Sequence, residues 1–298
     1  MFQSLNTSHS SNFEVGILSN NNKMSPRTFD LWRKYIYDNC GIYFQDNKKY
    51  LLESRLQKRV TYLGLNNFED YYSYVADAVK GVNEKKYLFE AITINETFFF
   101  RNQPQFDAMI SSIFPDIIQK KQAAKQKKIK IWSAASSSGE EAYTIAMLIK
   151  DIIKPKHPDF EFEIVGTDIN TAVVETAQKG IYKEYSIRQT PPYFLKKYFK
   201  RVDNIFQLNP EIMSMANFKV MNLYDEFAMK MMYGFDLIMC SNVLIYFDAQ
   251  SKIKVVSQLY DSMNSGGYLF IGYSETLHGI SKAFKLISFP KTIGYKKE

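Results

Sequence analysis

Apolar residues recur at helical spacing through the first part of the chain and change to strand-like runs near residue 128. Ser25-Pro26 marks a helix start, with serine as N-cap and proline in the first turn. Phe29, Trp32 and Ile36, with Tyr35 beside them, then share one face, and Gly41 ends the helix. Leu52, Leu56, Val60 and Leu63 predict a second helix over 49–63, stopped by Gly64. Asn67 caps a third, which carries Phe68, Tyr71, Tyr72, Val75 and Val79. Residues 25–91 therefore read as a small all-α domain. The Ser- and Asn-rich residues 1–24 before it read as a disordered tail.

Beyond Lys128 the period alternates. Ile129 and Ile131 open a strand, and Glu140 to Lys150 is a helix. Phe162 to Gly166 is a second strand ending at Thr167-Asp168, followed by a helix with Val173, Val174 and Ala177 that Gly180 closes. Phe235 to Cys240 reads as a strand, 249–263 as a helix, Asn264 to Gly267 as a turn, and Tyr268 to Tyr273 as a strand. Strands alternating with helices predict an α/β domain built on a largely parallel, doubly wound sheet. The last thirty residues read as strand, Pro290-Lys291 turn, strand, an antiparallel edge.

Composition adds boundaries. The chain has 298 residues, 46% of them hydrophobic, enough for one large core or two smaller ones. A net charge of +7 points to an acidic partner, which charge alone leaves open among nucleic acid, anionic membrane and acidic protein. Cys40 and Cys240 stand far apart without a CxxC pair, which argues against a disulfide framework or metal cluster and suits a reducing compartment. His9, His157 and His278 show neither metal spacing nor a triad partner. No metal is expected. With no signal peptide and no apolar run of membrane-span length, a cytoplasmic protein without direct membrane insertion is expected. The Lys/Gln-rich run 119–128 reads most simply as a solvated helix end or linker.

The candidate chemistry lies at strand ends. The loop Ala134 to Gly139 has one glycine, so it is neither a dinucleotide fingerprint nor a phosphate-binding P-loop. By itself it is equally an ordinary tight turn. Glu140 and Glu141 open the following helix, and a pair of acids disfavours an anionic phosphate. S-adenosylmethionine, with an ammonium and a sulfonium, suits such a loop. Asp168 closes the second strand, where a carboxylate accepts from ribose hydroxyls or else caps the next helix. Ser241 and Asn242 end a central strand at the ligand crevice, and Tyr246 is either a pocket residue or a core aromatic.

Four stretches in this order resemble the chemotaxis receptor glutamate O-methyltransferases, the CheR family. They are Asn95 to Arg101, Trp132 to Glu141, Gly166 to Ile169 with Gly180 to Tyr182, and Cys240 to Asp248; Gly272 to Glu275 is a looser fifth. The resemblance covers about 26–296. It implies an α-helical N-terminal domain and a Rossmann-like S-adenosylmethionine-dependent methyltransferase domain over 92–298, with a small β subdomain at about 190–218. It implies cofactor contacts at Asn95, Thr97, Arg101, Glu140, Asp168, Asn222, Leu223, Asn242 and Tyr246, with S-adenosyl-L-homocysteine as product. Arg101, Tyr246 and Ser241 are the residues expected at the reacting centre; the family usually has arginine where this chain has Ser241. Phe98, Phe99 and Phe100 are expected to make its mouth apolar.

The implied acceptors are glutamates in the cytoplasmic methylation region of chemoreceptors. Lys48, Arg55, Arg59 and Tyr62, flanked by Lys58, share a helix face and are expected to dock that acidic region. A monomer that binds no nucleic acid is expected. Some family members bind a receptor C-terminal pentapeptide at a glycine-containing β-loop; residues 200–213 lack glycine here, so no such tether is expected. A non-catalytic homologue of the same fold and a nucleic-acid methyltransferase are the alternatives.

Overall fold

The computed structural model describes residues 23–298. The expected tail over 1–24 lies outside them except for its last two residues, and Met24 belongs to the helical-domain core. That domain comprises α1 (Pro26–Cys40), α2 (Lys49–Tyr62), α3 (Phe68–Ala76) and α4 (Lys80–Ile92). Ser25 Oγ accepts from Thr28 N–H at 3.0 Å and Asn67 Oδ1 from Asp70 N–H at 2.7 Å, as capping chemistry requires. Trp32 is wholly buried and donates its indole N–H to Phe68 O at 3.1 Å. The stripe expected to run on to Val79 ends early. Asp77 accepts from Val79 N–H at 2.9 Å and Lys80 N–H at 2.8 Å, so this local turn breaks the helix and leaves Val79 exposed.

α5 (Gln103–Ala108) and α6 (Phe114–Ala123) join through a π-helical stretch over Met109–Ile113. There follow β1 (Lys128–Ala134), α7 (Glu140–Leu148), β2 (Glu161–Asp168), α8 (Thr171–Lys179) and β3 (Ile181–Tyr182). Next come α9 (Glu184–Ile187), α10 (Pro192–Tyr198), β4 (Phe199–Val202), β5 (Ile205–Leu208), α11 (Pro210–Met213) and β6 (Ala216–Val220). The chain closes with α12 (Glu226–Lys230), β7 (Phe235–Cys240), α13 (Ala249–Ser262), β8 (Met263–Ile271), β9 (Phe284–Phe289) and β10 (Thr292–Lys297).

Seven strands form one sheet in the order β6-β2-β1-β7-β8-β10-β9. The first five run parallel; β10 lies antiparallel between β8 and β9. Alternate residues of β7 feed opposite core layers: Leu237 and Met239 on one face, Ile238 and Cys240 on the other. All of β7 is buried, as a central parallel strand must be. The turn expected at Asn264 to Gly267 is instead a bulged start of β8. Phe235 pairs with Met263, and the register then jumps to Leu237 with Tyr268.

A second sheet, β3-β5-β4, begins at Ile181, earlier than the expected subdomain, while β6 belongs to the main sheet. Asp203, at φ 51°, supplies the left-handed turn between β4 and β5 without glycine. The basic run from the end of α6 to β1 is largely neutralised: Lys121 pairs with Asp236 at 2.8 Å and Lys128 with Glu163 at 2.9 Å. Among the described residues, no helix is long and apolar enough to cross a membrane.

Candidate functional site

Strand order reverses at β1, with β2 on one side and β7 on the other, and a cleft of about 390 Å³ opens at their carboxyl ends. The helical domain and the stretch that leaves it supply part of its wall through Cys40, Ile42, Ile92, Thr93 and Ile94. Polar bonds across the seam hold this wall in place. Tyr43 N–H donates to Tyr246 O at 2.9 Å, Asn222 Nδ2 to Asn39 O at 2.6 Å, and Asn170 Nδ2 to Thr93 Oγ1 at 2.8 Å.

The loop after β1 is tightly folded. Ala135, Ser137 and Gly139 all have positive φ, at 63°, 49° and 91°. Only the last is glycine, and a Cβ there would sit 2.9 Å from Ala177 Cβ and 3.0 Å from the Phe218 ring. The other two persist because the loop is bonded to β2: Ser136 N–H donates to Thr167 O at 2.8 Å, and Ser137 N–H to Asp168 Oδ2 at 2.9 Å. Asp168 also accepts from Asn170 N–H at 3.0 Å, and Asn170, not Asp168, caps α8. The carboxylate thus braces the loop and still lines the cleft with lone pairs to spare. Burial raises its pKa, against the pull of the amides of Asn170, Ser137 and Ile169.

The two acids opening α7 part ways. Glu140 is buried away from the cleft lining and accepts from Ser138 Oγ at 2.8 Å. Glu141 lines the cleft and accepts from Ser133 Oγ at 2.7 Å. Glu140, the residue expected to meet the cofactor, therefore lies off the cleft, and its neighbour Glu141 lines it. Adjacent helix positions point about 100° apart, and nothing in a lone acidic pair says which one turns inward. Burial raises the Glu141 carboxyl pKa; Ser133, Ser241 and the charge of Arg101 oppose the rise.

Asn95, Thr97, Arg101, Asn222, Leu223, Asn242, Ser241 and Tyr246 all line the cleft. The segment carrying the first three is strapped down. Asn95 O accepts from Ser137 Oγ at 3.0 Å, Phe99 N–H donates to Ser186 O at 2.9 Å, and Arg101 donates to Glu96 O. Of its three phenylalanines only Phe98 reaches the cleft. Phe99 and Phe100 turn into the core, against Tyr182 and Phe194, and the left-handed φ of 60° at Phe100 accompanies that turn. Arg55 and Arg101 both lie near enough to Tyr246 to oppose the rise that burial imposes on its phenol. Ser136 Oγ, buried in the cleft wall, has no hydrogen-bond partner, whereas Ser241 Oγ lies near enough to the Glu141 carboxylate to favour its charge. Ser136 therefore offers a free polar atom to a ligand.

The docking face on α2 divides. Lys48, Lys58 and Tyr62 are exposed. Arg59 is not free: its guanidinium makes a two-pronged pair with the buried Glu84, both bonds at 2.8 Å, and stacks on Tyr62 and Tyr87. Arg55 turns inward to donate to Ile92 O at the end of α4. Glu84, which decides this, lies on a helix that the apolar pattern left unread.

A doubly wound sheet with an inserted antiparallel strand, and an acid-bordered cleft at its reversal point, define an S-adenosylmethionine-dependent methyltransferase domain. Residues 95–293 match the model of the CheR methyltransferase SAM-binding domain, and residues 27–93 that of the CheR all-alpha domain. The chain is 34% identical over 270 residues to chemotaxis protein methyltransferase 2 of Vibrio cholerae, covering 90% of this chain and 92% of that one. It is 36% identical over 250 residues to the chemotaxis protein methyltransferase of Borreliella burgdorferi, covering 83% and 87%. This chain belongs to the CheR methyltransferase family.

Proposed function

We propose that this protein transfers a methyl group from S-adenosylmethionine to glutamate side chains in the cytoplasmic methylation region of chemoreceptors. The observation that carries the reading is the composition of one cleft: Glu141 and Asp168 with the unpartnered Ser136 hydroxyl in the same wall, and Arg101 near both Glu141 and Tyr246. The acids suit an ammonium and ribose hydroxyls, whereas the arginine and the phenol suit an acceptor carboxylate. Bound there, the cofactor supplies an electrophilic methyl group on a cationic sulfur.

Glutamate has a reference pKa of about 4.3, so the acceptor is already ionised at neutral pH and no general base is needed. The protein's task is alignment and exclusion of water, which supplies about 7–11 kcal/mol in well-oriented systems. Arg101 orients the acceptor carboxylate. Burial keeps the Tyr246 phenol protonated and hence a donor. Phe98 and Ile245 provide an apolar mouth, where neutralisation of opposite charges meets least resistance. Asn95, Thr97, Asn222, Leu223 and Asn242 hold the cofactor in this reading, and Glu141 replaces Glu140 among its partners.

Ser241 favours a second reading, a binding module that holds the cofactor without transferring its methyl group. Incubation with radiolabelled S-adenosylmethionine and receptor-containing membranes separates the two. Label on the receptor that is released by mild base, as a carboxyl ester must be, supports transfer. Cofactor binding with no label on any receptor, unrestored in Ser241→Arg, supports the binding module.

A further inference from the structure

Glu275 follows β8 in a tight turn and is 9% exposed. Its carboxylate ties two separate loops together. Oε2 accepts from Gly272 N–H at 2.6 Å and Asn242 N–H at 3.0 Å, and Oε1 from Ile245 N–H at 3.1 Å. These partners are backbone amides, and two of them belong to the loop that carries Asn242 and Tyr246 into the cleft. Asn242 has φ 61°, a left-handed conformation that asparagine adopts more readily than other non-glycine residues, and its N–H bond to Glu275 fixes the residue there. Ile245 lies inside the short 3₁₀ turn Leu244–Tyr246, so a fixed amide at 245 fixes the direction of Tyr246. Gly272 is the third element of the knot. A Cβ there would come within 2.7 Å of Asn242 N and of Glu275 Oε2.

We propose that Glu275 is the positioning residue of this cleft: it holds Asn242 and Tyr246 in their working geometry through loop amides and touches neither cofactor nor acceptor. The proposal rests on the reading of the cleft as the S-adenosylmethionine site. A carboxylate suits the task because its two oxygens accept several N–H bonds at once from loops that converge at different angles. A carboxamide of the same shape keeps one good acceptor and turns an NH₂ toward an amide donor.

The test uses the full chain, S-adenosyl-L-homocysteine titrated by calorimetry, methyl transfer, and thermal unfolding in parallel. Glu275→Gln is expected to weaken S-adenosyl-L-homocysteine binding roughly tenfold or more and to lower kcat, because a buried amide loses its acceptor. Gly272→Ala, with Glu275 intact, should reproduce that signature by pushing the Asn242 backbone aside. Combined with Tyr246→Phe, the loss in kcat/KM for Glu275→Gln should fall short of the sum of the two single losses, since both act through one turn. A folded Glu275→Gln with a lowered melting temperature but wild-type affinity and kcat would make Glu275 a brace only, and so would full additivity with Tyr246→Phe. If Glu275→Gln does not fold, Gly272→Ala decides alone. Wild type that fails to bind S-adenosyl-L-homocysteine would sink the cleft assignment itself, which the other outcomes leave standing.

Discussion

The cleft and the outer face of α2 both carry polar side chains that the sequence marks as functional, and the fold treats them differently. In the cleft, Asn95, Asp168, Asn222 and Tyr246 come from four distant segments and line one cavity. On α2, Arg55 and Arg59 share a face with Tyr62 and with Lys48 just before the helix, yet both arginines are spent inside the helical domain. Residues at a strand's carboxyl end in a doubly wound sheet have one place to go, the crevice. Residues on a helix face have only a direction. What they meet depends on the neighbouring helix, and here α4 presents Glu84.

Arg59 separates the two regions most sharply. Arg59→Ala should destabilise the protein by about 3–5 kcal/mol, because Glu84 is left buried without its cation. Thermal unfolding with cofactor binding measured below the transition checks this. A variant with unchanged melting temperature and weaker receptor methylation would return Arg59 to the docking face. Asp168→Ala comes next. It removes the acceptor for Ser137 N–H and Asn170 N–H and opens the loop. S-adenosyl-L-homocysteine affinity should fall by about 1.5–3 kcal/mol, roughly ten- to hundredfold. Equal affinities by calorimetry would remove Asp168 from the site.

Ser241→Arg should raise turnover about tenfold by adding a charge-assisted contact to the acceptor carboxylate, with cofactor affinity nearly unchanged. Steady-state methyl transfer to receptor membranes reads it; unchanged turnover would mean that Arg101 already saturates the contact. A smaller, pH-dependent effect belongs to Glu141. Burial raises its carboxyl pKa, so the native state holds this proton more tightly than the unfolded chain. That contribution to stability is fully present below the unfolded pKa of about 4.3 and is lost as pH rises through the folded value. Glu141→Gln should therefore melt higher than wild type at pH near 7, with the gap closing as pH falls toward 4, while cofactor binding weakens. A gap that widens on acidification would contradict the sign.

The smallest effect should come from the lysines on and just before α2 that stayed outside. Lys48→Glu with Lys58→Glu should slow receptor methylation a few-fold at low salt, with little difference at high salt and no change in melting temperature. Salt-independent behaviour would leave α2 without a steering role.

Periodicity was enough to find α1, α2, β1, β2, β7 and α13 close to their bounds, because each buries a face or a whole strand and repeats that demand every two or three to four residues. The order of those elements, with Asp168 and Ser241-Asn242 at strand ends, also made the crevice legible. The breaks were legible less often. Asp77 ends the third helix by a local turn that competes with a continuing stripe, and Asn264 to Gly267 carry turn residues that pairing with β7 absorbs as a bulge. Three further decisions belonged to the tertiary structure: which of two adjacent acids faces the cleft, whether Arg59 meets solvent or Glu84, and which of three phenylalanines lines the mouth. Each depends on a neighbour far away in sequence, and a side chain's energy is set by what surrounds it once the chain has closed.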